Sequence, residues 1–560
     1  MFESVWADRA VALNPVAVLL GVLLAAWLLY RVYRRLQLSA AKHPSLRGHA
    51  RWSRRIAAAI PAWSYDEKRF FSSDDAPEET VRRRRSGFER LAKELRERWP
   101  SQAQYGPELE AGLSDVAFTS RYRVPFQYRD ICSRELRAGA LVTQSDGVRI
   151  RDVDGNWAYD LTGAYGVNVL GYDTYKECLA QAQQVAGPLG PVLGPYHPVI
   201  VDNVRRLKEI SGLDEVSFHM SGTEAVMQAV RLACFHTSRS HVVLFCGAYH
   251  GWWDGVQPGI GNQRKTRDVY MLREQSEATL RVLRTRRDIA CVLVNPLQVM
   301  HPNGGAPSDA TLVDSSRSAH CDTAEYTNWL KRLREVCTRR GIVLIFDEVF
   351  VGFRIARGGA QEYFGVRADM VTYGKTLGGG LPVGVVCGRA DLMRRYVPSR
   401  PSRISFARGT FNSHPYVMAA MQAFLQRFEA ADVASSYDRL DERWNARAAS
   451  LNGLLEARNL PVRVVNFVSV WTVVYTRASR YNWMLQYYLR AEGLLLSWVG
   501  TGRFIFSHNY SDEDFEAVSN GFVRAAERMS EDGWWCDPAP LEDKAIKRRI
   551  LREMLAVSFR

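Results

Sequence analysis

Gly341-Ile-Val-Leu-Ile-Phe-Asp-Glu348 and Met370-Val-Thr-Tyr-Gly-Lys375 are two short apolar runs, each ending in charge, and the second leads into Gly378-Gly-Gly-Leu-Pro-Val-Gly384. The first run is too continuous for a half-exposed strand, which alternates apolar and polar residues; it reads as a strand buried on both faces. Val242-Val-Leu-Phe245 and Ile289-Ala-Cys-Val-Leu-Val294 repeat the pattern, and helical periodicities lie between the runs. That alternation predicts an α/β fold on a parallel or mixed sheet with helices on both faces. Upstream, Val148 to Asp160 reads as a hairpin turning at Asp154-Gly155.

Ligands of such sheets sit beyond the carboxyl ends of the strands, so the residues after each run are the candidates for chemistry. After Val216-Ser-Phe-His-Met220 comes Ser221-Gly-Thr223, opening a helix. Small residues at a helix N-terminus leave backbone N–H groups free for a phosphate; a plain helix cap reads the same way. Asp347-Glu348 ends a central strand, where a carboxylate needs a partner. That partner is either a buried cation, such as a protonated heterocyclic nitrogen, or a nearby arginine, Arg354 being available. Lys375 stands among glycines that let a flat ligand approach. A lysine held neutral by desolvation is a good former of Schiff bases; a surface lysine beside a turn is the alternative.

The bulk composition narrows the setting. The 560 residues are 47% hydrophobic and 24% charged, which suits a multidomain globular protein. The net charge of +14 gathers before about residue 100, a placement that suits an anionic membrane surface better than nucleic acid, for which no motif appears. Nine scattered cysteines without a CxxC pair indicate neither a metal site nor a disulfide framework. Residues 10–30 carry no charge and are long enough to cross a bilayer as helix. Trp6, Trp27 and Tyr30 flank the stretch. Arg31, Arg34, Arg35 and Lys42 follow it, against Arg9 before it, which predicts a single-pass protein with its body on the cytoplasmic side. A cleaved signal peptide fits less well, because the leading residues are not basic; a buried core helix is the other reading. The Arg82–Arg85 run is expected on a solvated helix or against lipid headgroups, and Ile546, Ile550, Leu551, Met554 and Leu555 predict a basic amphipathic tail helix, lying on the bilayer or packing on the N-terminal helices.

Taken in order, these motifs resemble the class III, fold-type I aminotransferases dependent on pyridoxal phosphate, and within them the glutamate-1-semialdehyde 2,1-aminomutase branch. The likeness runs from about Gly139 to Arg528. It is densest from Leu344 to Ala356, through Gly358-Gly-Ala-Gln-Glu-Tyr-Phe-Gly-Val366, to Asp369-Met-Val-Thr-Tyr-Gly-Lys375, and the interval from Asp347 to Lys375 is the one the family uses. The resemblance implies that Lys375 carries the cofactor, Asp347 binds its ring nitrogen, and Ser221, Gly222 and Thr223 seat its phosphate. It further implies that Tyr249 stacks on the ring, Val349 packs on the other face, His250 serves nearby, and Thr410 reaches the neighbouring active site of a homodimer. The implied chemistry passes an amino group from a donor to a carbonyl acceptor, with pyridoxamine phosphate between the half-reactions.

The sequence also departs from that pattern. Val294-Asn295-Pro296 has an amide where most relatives carry an acid, residues 299–325 form a long loop-rich insertion, and the stretch from Trp498 to Phe506 lacks the glutamate that true aminomutases place there. These differences and the anchor favour an intermolecular aminotransferase acting on a lipid-like or carrier-bound aldehyde or ketone. An aminomutase is the alternative, and a catalytically silent membrane scaffold is a rival of another class. Tyr165, Trp252 and Trp253 are candidates for an apolar wall or for core aromatics, and Arg403 and Arg503 for a substrate carboxylate. The expected organisation is an anchor over 1–35, a basic helical linker over 36–115, and a small domain whose parts, 116–200 and 426–530, flank the large cofactor-binding domain of 201–425. The tail occupies 531–560.

Overall fold

The computed structural model describes residues 15–44, 48–122, 124–136, 141–259, 261–264, 266–301, 319–497, 503–535 and 542–558. Its centre is a seven-stranded sheet of β1 (Glu215–His219), β2 (His241–Phe245), β3 (Val269–Leu272), β4 (Ile289–Val294), β5 (Val343–Asp347), β6 (Met370–Gly374) and β7 (Gly384–Gly388), in the order β1-β7-β6-β5-β4-β2-β3. Only β7 runs antiparallel to its neighbours. Every residue of β4, β5 and β6 is buried, as the continuous apolar runs required. Each fully buried Leu, Ile or Phe there contributes roughly 1.5–3 kcal/mol by leaving water, so the strand ends that carry the chemistry rest on a fully buried part of the sheet.

Two smaller sheets flank this one. Val142–Asp146, Arg149–Asp152 and Trp157–Asp160 form an antiparallel meander, with the expected hairpin turn at Asp154-Gly155, and Leu494–Leu495 adds to it in parallel from far along the chain. Val462–Phe467, Val470–Tyr475 and Phe504–Ile505 make the other. Residues from the two ends of the chain thus share one sheet. The insertion lies largely outside the described residues, but Met300–His301 pairs with His320–Cys321 and closes its base.

Five helices matter below: α1 (Pro15–Ala41), α2 (Glu78–Arg98), α3 (Gly222–Thr237), α4 (Glu277–Thr285) and α5 (Asp543–Ser558). Over Val16–Ala41, α1 is long and apolar enough to cross a membrane, with a mean hydropathy of 2.0 in its most apolar window. The first residues of the expected span lie outside the described ones. The helix continues past residue 35, where the anchor was expected to end, because its last turns dock on the body. Thr285 Oγ1 donates to Gln37 Oε1 at 3.1 Å, and Arg286 Nη2 donates to the Arg34 carbonyl at 3.2 Å.

The basic run in α2 is not simply a solvated face. Arg84 is fully buried, donates to both carboxylate oxygens of Asp74 at 2.7 Å, and lies over the Tyr481 ring at 4.4 Å. Of the two readings of the tail, the structure favours packing on the protein. In α5, Ile546 and Ile550 are buried, and Glu553 accepts hydrogen bonds from Arg480 at 2.9 Å and Arg69 at 3.0 Å.

Candidate active site

Ser221, Tyr249, His250, Asp347 and Lys375 stand at or just beyond the carboxyl ends of β1, β2, β5 and β6. Asp347, the last residue of β5, stands opposite Thr372 of β6, whose hydroxyl donates to Asp347 Oδ1 at 3.1 Å. The Val349 N–H donates to the same oxygen at 3.2 Å. The other oxygen, Oδ2, lies 2.7 Å from His250 Nδ1. A carboxylate only accepts, so Nδ1 carries the proton. His250 Nε2 is buried and has no hydrogen-bond partner among the described residues.

Lys375 follows β6 directly, at a φ of +50°. A side-chain-bearing residue there costs roughly 1–3 kcal/mol, strain that concentrates at functional sites. Its Nζ donates to the Tyr165 carbonyl at 2.5 Å and lies 4.9 Å from the centre of the Phe350 ring. Burial lowers its pKa to about 8; the Asp347 charge opposes the shift, and the Arg354 and Arg503 cations assist it. A substantial neutral fraction at mildly alkaline pH is what a nucleophilic amine requires.

Around the lysine the backbone comes close. A Cβ added to Gly166 would run into the Phe350 ring and lie 3.4 Å from Lys375 Cδ, and one on Gly222 would meet Val349 Cγ1 at 2.6 Å. Val349 therefore packs against the glycine of the Ser221–Thr223 turn. Ser221 caps α3, its hydroxyl accepting from the Glu224 N–H at 3.3 Å. The cap reading holds, and this bond does not use the N–H groups of Gly222 and Thr223.

The remaining candidates divide. Tyr249 and Trp252 are 62% and 74% exposed at the mouth, whereas Trp253 packs with Val256 against the core. Tyr165 is 52% exposed, and its carbonyl holds the lysine amine. Arg503 is close enough to act on Lys375. Arg403 is not part of this constellation: it donates to the Phe235 carbonyl at 2.6 Å and Ser238 Oγ at 2.8 Å, at the far end of α3 from Ser221, roughly 24 Å away at 1.5 Å per residue. Thr410 is exposed on the single chain. Residues 498–502, in the stretch that lacks the aminomutase glutamate, lie outside the described ones.

Arg354 does not pair with the acids. It is buried and spends its donors on the Phe506 carbonyl at 2.6 Å, the Asn168 carbonyl at 2.8 Å and Ser469 Oγ at 3.0 Å. Burial lowers its pKa to about 10, against the opposing influence of Tyr175 and Tyr437. Glu348 instead accepts from the Ala360 N–H at 2.7 Å, and burial raises its pKa to about 8. Of the acidic pair, only Asp347 faces the site. Asn295, in place of an acid, donates to the Tyr249 carbonyl at 3.3 Å and accepts from the Leu297 N–H, so the amide supports the loop that carries Tyr249 and His250. Phe350 and Thr372 escaped the sequence reading; for Thr372, the pairing of Asp347 with its strand neighbour was the missing signal.

An aminotransferase class-III sequence profile matches residues 132–525. The chain is 35% identical over 338 residues to a glutamate-1-semialdehyde 2,1-aminomutase of Nitratidesulfovibrio vulgaris (strain DSM 19637 / Miyazaki F), covering 60% of this chain and 76% of that protein. It is 32% identical over 351 residues to the enzyme of that name from Methanocaldococcus jannaschii, covering 59% and 75%. A solved transaminase with pyridoxal phosphate bound superposes with a TM-score of 0.59 at 26% identity, over 70% of this chain and 92% of that one. A β-phenylalanine aminotransferase from Variovorax paradoxus shares the fold at a TM-score of 0.63 and 24% identity, over 80% and 98%. The cradle of glycines, the His250 nitrogen without a partner among the described residues and the lysine of lowered pKa fit the pyridoxal phosphate of the solved transaminase. The chain belongs to the class III aminotransferase family and is a pyridoxal-phosphate-dependent enzyme of fold type I.

Proposed function

We propose that this enzyme is a membrane-anchored aminotransferase that moves an amino group from a donor to an aldehyde or ketone that is lipid-like or carrier-bound. The observation that carries the chemistry is the placement of Lys375 and Asp347 at the carboxyl ends of adjacent parallel strands, each buried enough to act strongly. Bound there, pyridoxal phosphate supplies an aldehyde that condenses with amines and a ring that accepts an electron pair. Ser221, Gly222 and Thr223 hold the phosphate with the N–H groups at the head of α3. Val349 and Tyr249 take the two faces of the ring.

Asp347 holds a proton on the ring nitrogen. His250 and Thr372 fix the carboxylate so that it need not reorganise as charge moves. Lys375 Nζ would hold the cofactor and, as a free amine, would take the proton from the donor α-carbon and carry it for return. The Tyr165 carbonyl and the Phe350 ring hold the amine in place meanwhile. The same groups run the second half-reaction backwards on the acceptor.

Thr410, exposed here, reaches the neighbouring active site in a homodimer. Next to it, Phe411 lines an apolar cavity of about 490 Å³ with Leu179, Met220 and Tyr416. The anchor is the span from residue 10 to residue 30, and the cations after it place the body on the cytoplasmic side. The domain boundaries expected from sequence are retained: anchor 1–35, linker 36–115, small domain 116–200 with 426–530, large domain 201–425 and tail 531–560.

A second reading, favoured by the names of the relatives, keeps the reaction within one molecule as an aminomutase. Single-turnover analysis separates the two. A transferase loaded with donor releases the keto product and leaves the cofactor in its amine form; a mutase retains the carbonyl and releases only the isomer.

A further inference from the structure

The direction in which α1 leaves the body is fixed by where its last turns are held. Ala41, at its end, accepts a hydrogen bond from the Arg273 N–H at 2.8 Å, just beyond the carboxyl end of β3. Arg34 is held by Arg286, which stands ahead of the amino end of β4, lies 3.7 Å from Asp288 and covers the ring of Tyr270 near the start of β3. Following α1 backwards from Ala41 to Arg34 therefore leads from the carboxyl edge of the sheet to its amino edge. Seven residues of helix rise roughly 10 Å, which matches the ~10 Å height of a four-residue strand, so the helix runs close to the strand direction.

Residues 16–30 continue along that path, past the amino edge, with their large apolar side chains exposed. Arg35, Arg284, Arg287 and Arg339 stand exposed near that same edge, where anionic headgroups would meet them. Ser221, His250, Asp347 and Lys375 all lie at the other edge.

We propose that the bilayer lies against the amino edge of the central sheet and that the catalytic mouth opens on the opposite side, into the aqueous phase. Donor and acceptor then reach Lys375 from water. The acceptor is a carbonyl compound presented by a soluble carrier, and not a lipid resident in the membrane. This inference rests on reading α1 as a membrane span and narrows the acceptor class given above.

The test uses the full chain, loaded with cofactor, in vesicles of phosphatidylcholine and phosphatidylglycerol that carry an energy-acceptor dye on their headgroups. An azide-bearing amino acid introduced at Arg339, on the amino edge, or at Trp252, at the mouth, takes a donor dye. The expected result is energy transfer to the lipid several-fold stronger from position 339 than from position 252. Equal transfer from the two positions, or the reverse order, overturns the inference while the anchor reading stands. Protein that does not float with the vesicles overturns the anchor reading, and this inference with it.

Discussion

The buried charges at the carboxyl edge of the central sheet invite comparison with those where α2 and α5 clasp the C-terminal part of the chain. In the clasp, Arg84 meets both oxygens of Asp74 together with the Phe71 and Gly533 carbonyls, and Arg480 meets Glu553, Tyr65 and the Ser73 carbonyl. At the site, Asp347 is well held, but His250 Nε2 has no partner among the described residues, and Lys375 has one carbonyl acceptor for an amine that can donate more. Buried polar groups are normally satisfied. Where the protein closes every bond around a charge, the charge serves the fold; where bonding capacity is left open beside a cleft, a ligand completes it.

The comparison breaks if removal of the site residues unfolds the protein or if removal of the clasp residues blocks the chemistry. The largest effect is expected from Lys375→Ala. It should lower kcat by ~10⁴-fold, the upper range for a positioned acid–base group, with the denaturation midpoint unchanged. Next comes Asp347→Asn, which keeps the shape and removes the charge; stopped-flow half-reactions should slow by ~10²–10³-fold, as for a lost electrostatic stabiliser. Arg84→Ala should do the opposite. It strands Asp74 in the interior and costs about 3–5 kcal/mol of unfolding free energy, measured by urea titration, with KM and kcat unaltered in native buffer.

The smallest effect sharpens the electrostatics of the site. The ammonium form of Lys375 is not nucleophilic, so cofactor capture by the apoenzyme should speed up as pH rises and level off above about 8, the value to which burial and the two arginines lower this amine. Arg503→Ala removes one of the repelling cations, so the midpoint should move upward, towards the ordinary lysine range. A midpoint that stays put would show that Arg503 exerts no field there.

Much of the site could be read from the chain because its parts are local. A buried strand announces itself by a continuous apolar run, and its last residues then lie at the carboxyl edge; the place of Asp347 and Lys375 follows from that, whereas their roles came from the family resemblance. The Asp154-Gly155 turn was equally local. What escaped depends on partners distant in sequence. Arg354 looked like a counter-ion for the acids next to it, but its donors go to carbonyls near residues 168 and 506. Arg403 looked free to bind substrate until the end of α3 was found to hold it. Arg84 lay inside what reads as a solvated basic run, and only tertiary contact with Asp74 and Tyr481 sets it apart. The docking of the end of α1 on the body likewise rests on partners far along the chain, Arg34 with Arg286 and Gln37 with Thr285.

The most direct test concerns the bond to Lys375. Purified protein supplied with pyridoxal phosphate should be yellow and should lose that absorbance when an amino donor is added. After borohydride treatment and proteolysis, the phosphopyridoxyl mass should be found on the peptide that contains Lys375. Colourless protein, or a label on any other lysine, would contradict the assignment on which the proposed chemistry depends.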